Sequence, residues 1–523
     1  MIFTEKIHRA IYWFGLTLTA CALPVSFYFT SVGLIVLAVN FLCQGQWRSR
    51  WERLRTNRSL QLGMLVYAPL VLSFGYSADY ATALHRLQLW LPLLLVPLII
   101  GLNDPLNRRE MQSLLVLFVL SVLTASIIAA CRLPLYYSGA IGSIREVYYY
   151  ISHIRFALMV VLAIAAMVYM GQQWRKGWQR MLMLLVALWF VVLLLLMRVV
   201  TGLFMLFWLL VVLAYFKGRA MDNAQHRRMF CAVCASFVLV MLVGGAMLCR
   251  RYYRLEPVDF KSLPEFTANG NPYSHDTLRP FRENGHRTDL LVCESEMRRA
   301  WNARSTFDYD ERDNQHQEIS STLRRYLTSL GLPKDSFGVA QLDSLDQVLI
   351  ETSHPSVLYR NKRNPYLRIY ETLYEFQLYM FDGHVEGSTV QRLAYISAAA
   401  RAFAQKPLFG VGCGDLQPAL DVQYEQSTKR LPREFWQKPH NQYLTVAVCA
   451  GLVGLVLFLV GMIVPFVRQR GYAHFMPLFF WGMMFLSMLS DDPLETHTGT
   501  TLMALFGALF IYGYNWFASD GGL

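Results

Sequence analysis

The chain has 523 residues, of which 54% are hydrophobic and only 16% are charged. Soluble proteins carry roughly 25% charged residues, so this composition excludes an ordinary soluble enzyme, a disordered chain and a nucleic-acid-binding domain. The formal net charge is +12, yet positions 250–438 hold 25 basic and 25 acidic residues. The positive excess therefore lies in the apolar remainder, where we expect it to determine membrane topology.

Apolar runs predict about twelve transmembrane helices, because a bilayer span needs about 20 mostly apolar residues. The first two predicted spans occupy residues 11–45 and are separated by a break near Pro24. The other ten predicted spans are residues 61–76, 86–102, 111–131, 154–171, 180–197, 199–216, 229–249, 441–467, 473–489 and 499–516.

Loop charges predict the orientation of these spans. Basic residues concentrate in the loops 46–60, 103–110, 172–180, 217–228 and 468–472. Since Lys and Arg favour cytoplasmic loops, we expect both termini to be cytoplasmic. The predicted fold is an all-α polytopic membrane protein with one large, mainly helical domain outside the membrane. The domains are an N-terminal membrane domain of about nine spans, an external domain and a C-terminal membrane domain of about three spans, over residues 1–249, 250–440 and 441–523.

The external domain contains three stretches with apolar residues at helical spacing. They predict helices over Gln315–Leu330, Tyr366–Phe381 and Thr389–Gln405. Connections as long as this domain are usually functional rather than simple links between spans.

His440 lies at the mouth of the tenth predicted span, at the depth of a lipid headgroup. Histidine titrates near neutrality and can accept a proton from a hydroxyl group. The alternative is an interfacial histidine that is hydrogen-bonded to the backbone. Gly451 and Gly454 follow on the same predicted helix, where small residues permit close helix packing.

Three arginines, Arg86, Arg155 and Arg198, fall at the outer ends of predicted spans, against the positive-inside bias. Charged groups near membrane depth are costly and often functional, and arginine binds phosphate through a bidentate fork. Their convergence on one side suits a lipid-linked pyrophosphate, and snorkelling to lipid headgroups is the alternative. Arg392 and Arg401 lie on the last predicted helix of the external domain, and Arg392 is a further candidate for phosphate binding, with a surface ion pair as the alternative.

Two other segments could carry chemistry. The glycines of the Gly410–Gly414 segment do not follow a predicted strand, which favours a tight turn over a nucleotide-binding loop. The segment 490–497 contains three acids and a histidine without a defined ligand spacing. A role in orienting arginines or an acceptor sugar is therefore favoured over metal binding.

Taken together, these features resemble the superfamily of O-antigen ligases and O-antigen polymerases, which are bacterial inner-membrane glycosyltransferases. One shared feature is the twelve-span layout with a large external domain before the tenth span. Another is an arginine-bearing helix that runs into Pro-Leu-Phe-Gly-Val-Gly, here Arg392 to Gly412. The third is the ligase-like pattern His-Asn-x9-Gly-x2-Gly, which His440, Asn441, Gly451 and Gly454 match.

The resemblance implies a reaction at the periplasmic face of the inner membrane. Such enzymes transfer a glycan from undecaprenyl pyrophosphate to a sugar hydroxyl, without nucleotide sugar, cofactor or metal. The acceptor is lipid A–core in ligases and another lipid-linked chain in polymerases. By similarity, His440 would be the general base, and Arg198 and Arg392 would hold the pyrophosphate. Arg155 and Arg86 are assigned to the same role by their positions, and Asn441 and Arg401 are further candidates for binding the pyrophosphate or the glycan.

Two departures from the family pattern bear on the acceptor and on one arginine. The external domain has a long insertion at roughly 260–385, and Met197 precedes Arg198 where a small residue is common. The His-Asn-x9-Gly pattern favours a ligase over a polymerase, although polymerases and protein O-glycosyltransferases share parts of it. A transporter of anionic solutes is a third alternative, but the sequence shows no internal repeat of the kind that transporters carry.

Overall fold

A computed structural model describes residues 4–137, 144–148, 150–173, 176–197, 199–313, 317–361, 364, 366–385, 387–429 and 431–516. The chain divides into two compact units. Unit 1 comprises Met1–Phe230, Tyr395–Ser427 and Arg433–Leu523, and unit 2 comprises Cys231–Ala394 and Thr428–Pro432. The predicted domains at 1–249, 250–440 and 441–523 were drawn from membrane topology and stay predictions.

The first half of the chain consists of helices that are mostly long and apolar. The α-helices in the described residues of this half are α1 (Glu5–Ala22), α2 (Phe27–Gln44), α3 (Trp47–Thr56), α4 (Arg58–Gly63), α5 (Ala68–Phe74), α6 (Tyr80–Leu102), α7 (Arg108–Tyr137), α8 (His153–Gln173), α9 (Gly177–Leu196), α10 (Val200–Arg219) and α11 (Ala224–Tyr253).

The middle of the chain is less apolar and contains shorter elements. It holds a two-stranded antiparallel hairpin of β1 (Arg282–Glu283) and β2 (His286–Arg287). The helices that follow are α12 (Glu294–Asn302), α13 (Ile319–Ser329), α14 (Ser336–Ala340), α15 (Ser344–Glu351), α16 (Tyr366–Phe381), α17 (Ser388–Gln405) and α18 (Leu416–Glu425). The chain ends with α19 (Gln442–Arg468), α20 (Phe475–Ser490) and α21 (His497–Ile511).

Each apolar run predicted to span the membrane lies mostly in helix, and the last one, 499–516, extends five residues beyond α21. The break near Pro24 separates α1 from α2, and the run 61–76 is divided into α4, a 3-10 turn and α5, which has Pro69 in its first turn. Within the described residues, eight helices are long and apolar enough to cross a membrane. The structure thus confirms a helical membrane protein, whereas twelve spans and their orientation stay predictions.

Unit 2 has its own hydrophobic core, formed by α12, α13, α14 and α15. Trp301, Leu323, Tyr326 and Ile350 are fully buried in it. The helix predicted over Tyr366–Phe381 is α16, with the same bounds. The other two predicted helices are α13 and α17, although positions 315–316 of the first lie outside the described residues.

A buried carboxylate fixes a loop of unit 2 to this core. Glu296, on α12, is 4% exposed. It accepts hydrogen bonds from Thr267 at 2.5 Å, Asn271 at 2.7 Å, Asn269 at 3.1 Å and the Ser336 hydroxyl at 2.6 Å. Burial alone would raise the pKa of Glu296, but these donors, Ser336 foremost, lower it to about 2.

Replacing Glu296 by Gln should lower the free energy of unfolding of unit 2 by about 2 kcal/mol at pH 7, because hydrogen bonds to a charged acceptor are lost. A carboxyl with a depressed pKa stabilises the fold above its ordinary pKa and loses that contribution as pH falls toward the folded value. The difference between wild type and variant should therefore shrink between about pH 4 and pH 2. Proteolysis in increasing urea, with cleavage within residues 254–361 as the readout, measures this difference in stability.

The matched control is Glu294→Gln on the same helix. Glu294 is half-exposed and pairs with Arg324 at the surface, so its removal should cost no more than about 1 kcal/mol. Equal urea midpoints for Glu296→Gln and wild type at pH 7 would contradict the role assigned to this carboxylate.

Candidate active site

His440 lies in a sharp turn immediately before α19. Its backbone φ is +48°, in the left-handed region that residues other than glycine rarely adopt. Residues that do adopt such strained conformations are concentrated at functional sites. The next residue, Asn441, caps α19 by accepting from the Leu444 amide at 3.0 Å. Its side-chain nitrogen donates to the Leu489 carbonyl at the end of α20, at 2.9 Å. The start of α19 is thereby fixed against the end of α20.

The imidazole of His440 faces two adjacent carboxylates, Asp491 and Asp492, which we call the aspartate pair. Its Nδ1 lies 3.5 Å from Oδ1 of each aspartate. The pair is buried, with 2% and 5% exposure, whereas the His440 side chain is 35% exposed. Hydrogen bonding to both carboxylates raises the pKa of His440 to about 9, although partial burial opposes this. With Nδ1 directed at the pair, Nε2 has no hydrogen-bond partner among the described residues.

Arg155, near the start of α8, holds the aspartate pair from another side. Its Nη1 lies 3.0 Å from Oδ2 of Asp491, and its Nη2 lies 3.7 Å from Oδ1 of Asp492. Nη2 also donates to the Asp492 carbonyl at 3.2 Å. Although burial disfavours its charge, Asp491 has a pKa below the usual range because of His440 and Arg155. Two cations thus balance two buried carboxylates.

A second ion-pair cluster, in which Arg86 and Glu495 are buried and Lys438 is partly exposed, holds the same loop. Glu495 accepts from Arg86 Nη2 at 2.5 Å and from Lys438 Nζ at 2.9 Å. Arg86 is 3% exposed, and its Nη1 donates to the Cys413 carbonyl at 2.8 Å and contacts Cys449 Sγ at 2.9 Å. Burial opposes ionisation of Glu495, but Arg86 and Lys438 lower its pKa to about 2.

The ligand atoms of His440, Asp491 and Asp492 lie within 4.8 Å of one another, a spacing that could hold a metal ion. However, the Arg155 guanidinium already lies 3.0 Å from Asp491. It supplies the positive charge that these carboxylates need and would repel an added cation at that distance. The donor set therefore fits an ion-pair network better than a metal site.

The two glycine motifs form one backbone arrangement. Helix α19 is interrupted at Gly451, which has φ +66° and ψ −167°. The hydrogen bonds lost at this break are replaced by four bonds between the segment 407–412 and the residues around the break. They run from Val411 N to Val448 O at 2.9 Å, Gly412 N to Cys449 O at 3.0 Å, Leu452 N to Pro407 O at 2.8 Å and Val453 N to Leu408 O at 3.2 Å.

Both motifs need glycine because the two backbones touch. A Cβ atom on Gly451 would lie 2.2 Å from the Leu408 backbone, and one on Gly410 would lie 2.5 Å from the Cys449 backbone. The sequence predicted a tight turn for one motif and close helix packing for the other. It did not show that the motifs contact each other, although the glycines in both were the signal.

The remaining predicted site residues are placed as follows. Arg198 lies outside the described residues. Arg392 lies in the part of α17 that belongs to unit 2 and is partly buried, with no hydrogen-bond or ion-pair partner among the described residues. Arg401 lies in the part of α17 that belongs to unit 1, is exposed, and donates to Ser397 Oγ at 2.8 Å and to the Gln423 carbonyl at 3.1 Å.

The structure therefore brings His440, Arg155 and Asn441 together at the ends of α8, α19 and α20, and Arg86 contacts the same loop through Glu495. The predicted roles of these residues in binding or catalysis stay predictions. The sequence favoured a role for the acidic segment 490–497 in orienting arginines or an acceptor sugar, and the structure shows its ion pairs with Arg155 and Arg86. The contact of the aspartate pair with His440 was not predicted.

The segment of the chain that contains His440 is similar to a known protein family. Residues 347–459 match the family described as O-antigen ligase. The match includes α16, α17, both glycine motifs and the His440-Asn441 pair. No curated protein matches this chain. The family match supports the O-antigen ligase superfamily, a glycosyltransferase-like group of ligases and polymerases, and hence an enzymatic role in a membrane.

Proposed function

We propose that this chain, which matches the O-antigen ligase family over residues 347–459, transfers a glycan from undecaprenyl pyrophosphate to a sugar hydroxyl of lipid A–core. The reaction takes place at the periplasmic face of the inner membrane. The observation that carries the proposal is the geometry of His440, whose Nδ1 lies between two buried carboxylates while Nε2 has no partner among the described residues.

In the proposed mechanism, His440 is the general base. The acceptor hydroxyl gives its proton to Nε2 as its oxygen attacks the anomeric carbon. The bond from that carbon to the pyrophosphate oxygen breaks, and the lipid pyrophosphate leaves with the electron pair. The Nδ1–H group donates to the aspartate pair. The pair thereby stabilises the imidazolium that forms, as a buried carboxylate does for other catalytic histidines. Direct displacement inverts the anomeric centre, so a product with the donor's configuration would contradict this mechanism.

Arginines supply the positive charge that the leaving pyrophosphate needs. We assign this role to Arg392 and Arg198. The lack of a partner for Arg392 among the described residues supports its assignment. Arg155 and Arg86 have buried carboxylate partners, so we propose that they position the loop that carries the aspartate pair. Asn441 and Arg401 likewise use their side chains in contacts with the protein, and we propose that they shape the site.

A deletion strain that is complemented with wild type or with His440→Asn tests the reaction. We expect lipopolysaccharide gels of the deletion and of the variant to lack polymer on lipid A–core, while lipid-linked glycan accumulates. His226→Asn, at an exposed position on α11, is the matched control and should restore transfer.

The gel also separates the two reactions of the superfamily. If core that carries a single repeat persists while long chains disappear, the enzyme is a polymerase and the ligase proposal is wrong. If neither the gel nor the lipid-linked glycan changes on deletion, both the ligase and the polymerase reaction are wrong. Uptake or export of anionic solutes then becomes the next activity to measure.

A further inference from the structure

Helix α3 is tied to the end of a membrane-crossing helix. It follows α2 after a two-residue turn in which Gly45 and Gln46 both have positive φ. Arg50, on α3, is 4% exposed. Its Nη1 donates to the Phe41 carbonyl at 2.5 Å and its Nη2 donates to Gln44 Oε1 at 2.6 Å, both in the last turn of α2. These bonds hold α3 against the C-terminus of α2.

Arg53 ties α3 to the end of a second such helix. Its Nη1 lies 3.4 Å from the carbonyl of Leu102, the last residue of α6, and 2.9 Å from Oδ1 of Asp104. Because α2 and α6 both have the length and apolar character of membrane spans, a helix fixed to both of their C-termini lies at the border between hydrocarbon and headgroups.

The exposed surface of this segment carries two tryptophans and two arginines of α3, together with Arg58, the first residue of α4. Trp47 and Trp51 are 54% and 60% exposed, and their spacing of four places them on one side of the helix. Arg55 continues this row. The side chains of Arg55 and Arg58 are exposed and have no partner among the described residues.

The remaining arginine of this surface, Arg48, is also available. Its side chain is 96% exposed and lies 3.7 Å from Glu52, which is itself 69% exposed. Such a surface pair holds its members weakly. We call this surface the α3 face, formed by Trp47, Trp51, Arg48, Arg55 and Arg58.

We propose that the α3 face binds the headgroups of anionic phospholipids. Tryptophan rings favour the membrane–water interface, where the ring is apolar and the indole N–H can reach polar groups. Guanidinium groups bind phosphate oxygens through two parallel hydrogen bonds. The occupant is an anionic rather than a zwitterionic lipid because three cations on this face lack a strong protein partner. This binding site is separate from the proposed transferase reaction and does not depend on it.

Brominated lipids, which quench tryptophan fluorescence on contact, provide the test. The full-length protein is reconstituted in bilayers of four parts phosphatidylcholine to one part phosphatidylglycerol, with bromine on one lipid or the other. The signal of Trp47 and Trp51 is the difference between wild type and the variant Trp47→Phe/Trp51→Phe. Quenching per brominated lipid should be at least about fivefold higher for phosphatidylglycerol, the preference that a single basic residue contributes near an anionic surface.

The variant Arg48→Gln/Arg55→Gln/Arg58→Gln should bring the ratio of the two quenching values close to one. The matched control, Arg219→Gln/Arg227→Gln/Arg228→Gln, removes three exposed charges from another predicted cytoplasmic loop and should keep the wild-type ratio. A ratio near one in wild type would overturn the proposal, as would an equal loss in the test and control variants.

Discussion

Replacing His440 by Asn should slow glycan transfer by about 10²–10⁴-fold, the contribution that a positioned general base makes to proton transfer. Asparagine is the chosen replacement because it tolerates the positive φ that His440 adopts. A loss of activity is then a loss of the imidazole and not of the backbone turn. Single-turnover transfer from a lipid-linked glycan to lipid A–core, with purified protein in bilayers, measures the rate. A rate within threefold of wild type would show that His440 is not the base.

The pH profile of the same reaction distinguishes the base from a cationic role. Because the aspartate pair raises the pKa of His440 to about 9, the imidazolium form dominates at neutral pH when the site is empty. A general base acts in its neutral form, whose fraction increases about tenfold per pH unit below the pKa. The rate should therefore rise between pH 7 and pH 9 and level off above that. A rate that falls above pH 9 would identify the imidazolium as the active form.

The variant Asp492→Asn links that profile to the aspartate pair. Removing one of the two carboxylates near Nδ1 should lower the pKa of His440 and move the rise in rate to lower pH. Glu425→Gln, which removes one exposed carboxylate from α18, should leave the profile unchanged. If the pH profiles of Asp492→Asn and wild type coincide, the aspartate pair does not set the proton affinity of His440.

Local pattern predicted the helices well because their causes are local. Apolar runs of sufficient length and amphipathic spacing determine where a helix forms, and α16 has the bounds that its sequence predicted. The division of the run 61–76 into α4 and α5 was missed. Tertiary contacts explain this, since a Cβ on Gly461 of α19 would lie 2.5 Å from the Val66 backbone.

The candidate site was predicted less completely because its charges compensate each other across distant parts of the chain. The sequence favoured a role for the acidic segment 490–497 in orienting arginines, but nothing near Arg86 and Arg155 in sequence assigns Glu495 to the first or the aspartate pair to the second. The same is true of His440, which was identified from its motif and its position at a span end. A carboxylate partner is visible only when the end of α20 is placed against the start of α19.

Replacing Gly451 by Ala should destabilise the membrane-embedded part of unit 1 by at least about 3 kcal/mol, the combined cost of backbone strain and overpacking. The combination of φ and ψ at this residue is accessible essentially to glycine alone. The added methyl group would also meet the Leu408 backbone at 2.2 Å. Backbone atoms cannot move aside as a flexible side chain can, so the four hydrogen bonds around the break should be lost together. The midpoint temperature of aggregation, measured by size exclusion after heating, should fall.

The matched control is Gly244→Ala, on the apolar helix α11, where a Cβ would meet nothing within 4 Å. Alanine favours helix there by about 1 kcal/mol, so the midpoint should stay constant or rise.

The break also lies between His440 and the rest of α19, and the segment that fills it continues from α17. A Gly451→Ala protein that remains folded should therefore lose transfer activity while it retains the raised pKa of His440, because that pKa depends on the aspartate pair. Wild-type stability together with wild-type transfer activity in Gly451→Ala would show that the four backbone hydrogen bonds around the break are not needed.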